Sequence, residues 1–132
     1  MKQTYSGGCH CGAVRYEVDL DLSQGTLKCN CSICGKARAW LAFAGPSDFR
    51  LQQGADALSE YLFNSKNINH QFCKTCGIKS FARARTPNGE GVAIMVSCLE
   101  NVPAAELAAL PVVYVDGLHD DFKSPPAETR HL

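Results

Sequence analysis

Apolar and polar residues alternate with a period of two along much of this chain. Val14, Tyr16, Val18, Leu20 and Leu22 are separated by Arg15, Glu17, Asp19 and Asp21, the pattern of a strand with one face buried and one in water. Ser23-Gln24-Gly25 breaks that pattern, and Thr26-Leu27-Lys28 begins a short segment after it. Ala39 to Ala44 is a compact apolar run stopped by Gly45-Pro46, which predicts a strand buried on both faces or nearly so. Phe49 and Leu51, then Leu58 to Phe63, mark two more strands. Ile68, His70 and Phe72 alternate with Asn69 and Gln71 in the next, and Lys79 to Arg85 forms another that closes in the turn Pro87-Asn88-Gly89. Val92, Ile94, Val96 and Cys98 share one face of a further strand. Pro103 to Leu110 predicts the one short helix, with proline in its first turn, and Val112 to Val115 a last strand. Many short strands punctuated by glycine and proline give a mainly β fold. Residues 1–122 read as a single domain, and 123–132, with Pro125-Pro126, as a mobile tail.

The length of 132 residues, 45% of them hydrophobic, suits one domain with a real core. Thirteen basic residues balance thirteen acidic ones. No basic surplus is available to neutralise phosphates, so nucleic acid is not an expected partner. No apolar run approaches the roughly 20 residues that span a bilayer, and Met1 to Ser6 lacks the apolar segment of a secretory signal. The expectation is a cytoplasmic protein without a membrane partner; composition says nothing of its oligomeric state.

Eight cysteines change this picture. Cys29, Cys31 and Cys34 place three thiols within six residues, preceded by the pair Cys9 and Cys11 and followed by Cys73 and Cys76. A disulfide framework belongs to oxidising compartments, whereas such spacing in a cytoplasmic protein favours metal. Glycine follows each cluster, at positions 12, 35 and 77. Glycine accepts the positive φ of a tight turn, in which backbone N–H groups point at thiolates. Zinc binds thiolates at about 2.3 Å in a tetrahedron. Spacing alone does not decide which clusters share an ion. The simplest division gives Cys9, Cys11, Cys73 and Cys76 a closed four-thiolate site and leaves Cys29, Cys31 and Cys34 an open one, the ligand count of a reactive centre. Two Zn²⁺ per chain are expected on that division.

Gly8-Cys9-His10-Cys11-Gly12-Ala13-Val14, Cys29-Asn30-Cys31-Ser32-Ile33-Cys34 and Phe72-Cys73-Lys74-Thr75-Cys76-Gly77, in that order, resemble the glutathione-dependent formaldehyde-activating (GFA) family, also called the centromere protein V-like family. The resemblance implies a β-tent fold of small antiparallel sheets with zinc at the strand ends. It implies a structural zinc on Cys9, Cys11, Cys73 and Cys76 and a catalytic one on Cys29, Cys31 and Cys34. It further implies a carbon–sulfur lyase that joins formaldehyde to glutathione. Asn30 stands where the family often has histidine, and the tryptophan often found beyond the last strand is missing.

A three-thiolate zinc with a free position can ionise a small thiol near neutral pH or polarise a carbonyl. Three thiolates donate heavily to the metal and weaken its Lewis acidity, which favours handling of a thiol. The expected substrate is therefore a small-molecule thiol or thiol–aldehyde adduct. Lys36 and Arg38, with Lys28, are the basic residues beside the triplet that could meet substrate carboxylates. His70, sharing a face with Ile68 and Phe72, is the histidine to test as a proton carrier. Cys98, on an apolar strand face, reads as an inert thiol. A non-catalytic zinc scaffold that binds a partner, and a thiol redox sensor whose triplet loses zinc on oxidation, are the alternatives to an enzyme.

Overall fold

The computed structural model describes residues 1–132. The chain runs β1 (Gln3–Gly8), β2 (Arg15–Leu20), β3 (Thr26–Cys29), α1 (Ser32–Ala37), β4 (Leu41–Ala44), β5 (Phe49–Gln53), β6 (Leu58–Tyr61), β7 (Ile68–Cys73), β8 (Phe81–Thr86), β9 (Gly89–Met95), α2 (Ala104–Ala108) and β10 (Val112–Val115). Two sheets result. One has three strands in the order β1-β2-β5; the other has seven, in the order β10-β3-β4-β9-β8-β7-β6. The mainly β expectation holds. All pairings between named strands are antiparallel except β10 with β3, which run parallel with Val115 opposite Cys29. No helix is long and apolar enough to cross a membrane.

The alternating residues of the first long pattern form one wall of the core. Val14, Tyr16, Val18, Leu20 and Leu22 are all buried, although the strand stops at Leu20 and Leu22 enters a 3₁₀ turn capped by the Asp21 side chain. Opposite them lie Phe81, Val92 and Ile94 of the larger sheet, with Phe49. The rings of Tyr16, Phe49 and Phe81 meet at centroid separations of 5.2, 5.7 and 4.8 Å, in tilted and edge-on arrangements that aromatic quadrupoles favour. The Tyr16 hydroxyl donates to the Ser80 carbonyl at 3.1 Å, so its polar end is satisfied inside the core. Gly7 is opposite Tyr16 in the β1–β2 register, and a Cβ there would meet the tyrosine ring.

Four local expectations change. The sequence puts its one short helix at Pro103 to Leu110, but a second forms at the triplet: Cys31 caps α1, which carries Cys34 within it. Gly35 consequently has helical geometry, its N–H bonding the Cys31 carbonyl at 2.8 Å, while Gly12 and Gly77 do take positive φ, 86° and 78°. The left-handed residue of this segment is Arg38, which ends α1 at φ 49°. In β4, Ala42 and Ala44 are buried but Phe43 is 60% exposed, so the run is one-sided. The last face splits as well: β9 ends at Met95, and Val96 to Cys98 form a 3₁₀ turn. Consecutive apolar residues do not distinguish a doubly buried strand from one whose outer face lines a cavity.

A candidate two-metal thiol site

The sulfurs of Cys9, Cys11, Cys73 and Cys76 lie within 4.8 Å of one another, and so do those of Cys29, Cys31 and Cys34. The fold thus brings together the same four and three that the simplest division of the sequence does. In the first group Cys11 Sγ is 3.6 Å from both Cys9 Sγ and Cys73 Sγ, close to the roughly 3.8 Å edge of a tetrahedron around zinc. Cys9 and Cys11 follow β1 of the small sheet, and Cys73 ends β7 of the large one. An ion held here would join the two sheets across 62 residues of sequence and remove much freedom from the unfolded chain. Backbone amides already point at the sulfurs: Val14 N donates to Cys9 Sγ at 3.3 Å, and Thr75 N to Cys73 Sγ at 3.4 Å.

Charge balance also fits a cation. The amides of Ile78 and Cys11 pull the Cys76 thiol down to about 6. The Ala13 amide favours the Cys11 thiolate, but the neighbouring Cys73, burial, and the other sulfurs push that thiol up to about 11. In the triplet, burial and the Cys31 charge push Cys34 up to about 12. Burial raises Cys29 too. Cys31 is the exception: burial works against its thiolate, but hydrogen bonds from the Cys34 and Ile33 amides and the adjoining thiols bring it below the ordinary range. Sulfurs this close cannot all ionise by themselves, and a divalent cation removes the obstacle.

The triplet is held from two directions. α1 turns Cys34 back toward Cys29 and Cys31, and Cys31 N donates to Cys29 Sγ at 3.4 Å. The parallel pairing of β10 with β3 lays the next segment over the site, where Gly117 approaches so closely that a Cβ would meet Cys29 Sγ and the Cys31 Cβ. Asn30 clasps that segment. Its Nδ2 donates to Asp116 Oδ1 at 2.8 Å and its Oδ1 accepts from Leu118 N at 3.0 Å, while His119 Nδ1 is 2.8 Å from Asp116 Oδ2. No local pattern announces this clasp, because its partners are 86 and 88 residues away.

Cys29, Cys31 and Cys34 line a cavity of about 300 Å³ on the face of the large sheet. Hydrophobic residues form nearly all of its wall; the two others are His70 and Lys79. Lys79 Nζ is 3.0 Å from His70 Nδ1. Burial, then the charge of Lys79, lowers His70 to about 4, and it is stacked on Phe63 at 5.5 Å between centroids. Burial lowers Lys79 as well, against the opposing influence of the Cys34 and Cys31 thiolates. Lys79 is the site residue that pattern reading passed over: it precedes β8, in the segment between Cys76 and Phe81, where strand alternation does not say which way a side chain points.

The other nominated residues lie elsewhere. Lys36 is exposed on α1. Arg38 and Lys28 donate to the carbonyl of the buried Leu132, at 3.4 and 3.3 Å, and Lys28 also lies over the Trp40 ring. His10 is exposed. Burial, with the nearby Cys9 and Cys76, pushes the Cys98 thiol up to about 11, which keeps it protonated and unreactive.

Two comparisons relate this chain to known proteins. A crystal structure of a Rhodobacter sphaeroides protein is 35% identical and superposes with a TM-score of 0.69, covering 82% of this chain and 99% of that one. Residues 4–116, which include both cysteine groups, match the family model described as glutathione-dependent formaldehyde-activating enzyme. The resemblance carried by the three cysteine blocks is therefore a family relationship: this chain belongs to the GFA family.

Proposed function

We propose that this protein is a zinc-dependent carbon–sulfur lyase-type enzyme of the cytoplasm that makes and breaks a thiol–aldehyde adduct of the glutathione–formaldehyde kind. One observation carries the reading: three convergent cysteine sulfurs line a cavity whose two polar side chains, His70 and Lys79, bond each other. Cys9, Cys11, Cys73 and Cys76 would hold a structural zinc, and Cys29, Cys31 and Cys34 a catalytic one. When bound, the second ion supplies an electrophilic position that favours the ionised form of a substrate thiol near neutral pH.

The chain's own groups do the rest. The adduct has the form R–S–CHR′–OH. In the cleavage direction the C–S bond breaks with its electron pair going to sulfur, the O–H proton departs, and the products are a thiolate and an aldehyde. Lys79 is the group in the cavity that can reach such an oxygen: its ammonium donates one hydrogen to His70 Nδ1 and has others for the substrate. In its amine form, which burial favours, it takes the hydroxyl proton; in the reverse direction it returns it. His70, stacked on Phe63, fixes the Lys79 side chain by accepting from it. The apolar walls exclude water that would compete for the aldehyde.

The test is the rate at which zinc-loaded protein equilibrates glutathione with formaldehyde. Wild type should accelerate adduct formation and cleavage alike, and Cys31→Ser should abolish both while leaving the protein folded. Equal rates with wild type and Cys31→Ser would overturn the proposal.

A further inference from the structure

The cavity beside the triplet is built into the face of the large sheet by small residues. Phe43, Ala93, Ala82 and His70 form one row across β4, β9, β8 and β7, and Ile68 and Ala84 form the next. Side chains in such a row share a face, so the three alanines leave a hollow floor between Phe43 on one side and Ile68 on the other. Phe43, Ile68 and Phe122 border it at 60%, 45% and 63% exposure. Apolar surface of this kind gains from being covered.

Glutathione alone fits this lining poorly. Its two carboxylates need cationic partners when they leave water, and Lys79 is the single cation on the wall. Lys28 and Arg38 are engaged with Leu132 outside the cavity. The charged ends of a tripeptide would therefore remain in solvent and leave the alanine floor bare.

We infer that the adduct handled at Cys29, Cys31 and Cys34 carries an alkyl or aryl group, on its thiol half or its aldehyde half, and that this group fills the space over Ala82, Ala84 and Ala93. The inference rests on the proposed function for the identity of the adduct, but the apolar binding it requires is measurable without turnover.

Calorimetric titration of the zinc-loaded protein with 2-mercaptoethanol, butanethiol, hexanethiol and glutathione tests it. Affinity should rise with chain length, by up to about fourfold per buried methylene, and hexanethiol should bind more tightly than glutathione. Ala93→Leu, at a half-buried position, should flatten the length dependence by filling the floor without touching a cysteine. Turnover then separates the two sources: formaldehyde with hexanethiol faster than hexanal with glutathione places the chain on the thiol, and the opposite order places it on the aldehyde. Tighter binding of glutathione than of hexanethiol, affinity that does not change with length, or an unchanged length dependence in Ala93→Leu overturns the inference. If the length dependence holds but no adduct is turned over, the lyase reading fails and the apolar site stands.

Discussion

Lys79 Nζ and His70 Nδ1 lie 3.0 Å apart on the wall of the thiol cavity. The pair stands between the two cysteine groups. Lys79 stands three residues beyond Cys76, in a turn where Cys73 N bonds the Ile78 carbonyl at 3.0 Å and Gly77 N bonds the Cys73 carbonyl at 2.8 Å. The four-cysteine group thus aims a lysine into the cavity formed around the three-cysteine group.

Replacing that lysine should separate chemistry from structure. Lys79→Met keeps the length and apolar stem of the side chain but removes its nitrogen. We expect kcat/KM for adduct cleavage to fall roughly a hundredfold, the usual scale for a lost proton-transfer group, with metal content and thermal midpoint near wild type. Steady-state kinetics alongside metal analysis checks this; unchanged kinetics would remove Lys79 from the mechanism.

His70 should stay neutral far below the ordinary histidine range. Its folded pKa is about 4, against 6.5 for a free imidazole. Between these values the unfolded state binds the proton and the folded state does not, so this residue's contribution is complete above pH 6.5 and declines as pH falls toward 4. The group facing it is Lys79, whose positive charge acts in the same direction as burial. NMR titration of the His70 ring protons should show a midpoint near 4. His70→Gln should weaken the pH dependence of unfolding over that interval by on the order of 2 kcal/mol. A midpoint near 6.5 would contradict the buried placement.

The two cysteine groups should respond differently to mutation. Cys31→Ser is expected to lose one equivalent of zinc and remain folded, because helix α1 and strand β3 retain their packing. Cys76→Ser breaks the group that joins the two sheets and should unfold or aggregate, since a structural zinc site contributes folding free energy directly. Metal analysis and circular dichroism of both variants decide the matter. The same behaviour in both would mean that the four-and-three division has no functional meaning.

The clasp over the triplet offers a test that spares every cysteine. Gly117→Ala places a methyl group against Cys29 Sγ, and Asn30→Ala removes both hydrogen bonds to the 116–118 segment. Each should weaken zinc at the three-cysteine group by roughly 10- to 100-fold, as loss of supporting contacts commonly does, and leave the four-cysteine group filled. Competition with a chromogenic chelator measures the two affinities separately.

Core packing sets a reference for these effects. Phe81 has no exposed surface and joins Tyr16 and Phe49 between the sheets. Phe81→Ala should cost about 3–5 kcal/mol, read from urea unfolding.

Much of this was legible in the chain itself. The period-two pattern from Val14 to Leu22 identified a core wall because side-chain alternation is a local property of extended backbone. The cysteine spacing identified the candidate metal groups because chelation constrains residues close in sequence, and three blocks in order sufficed to place the family. What could not be read locally depended on partners far apart. α1 was missed because a six-residue helix is set by the need to gather Cys31 and Cys34 rather than by hydrophobic periodicity. The apolar run at Ala39 to Ala44 was misjudged because only the neighbouring strands show that Phe43 borders an open cavity.

By itself, then, the sequence determined a mainly β domain with two thiol groups and the family to which it belongs, since each of those properties is written in residues a few positions apart. Tertiary structure alone decided that Lys79 and His70 face the triplet, that Asn30 and Gly117 cover it, and that three alanines from separate strands make an apolar floor beside it. Those relationships arise from strand order and register, and register links residues that no spacing along the chain connects.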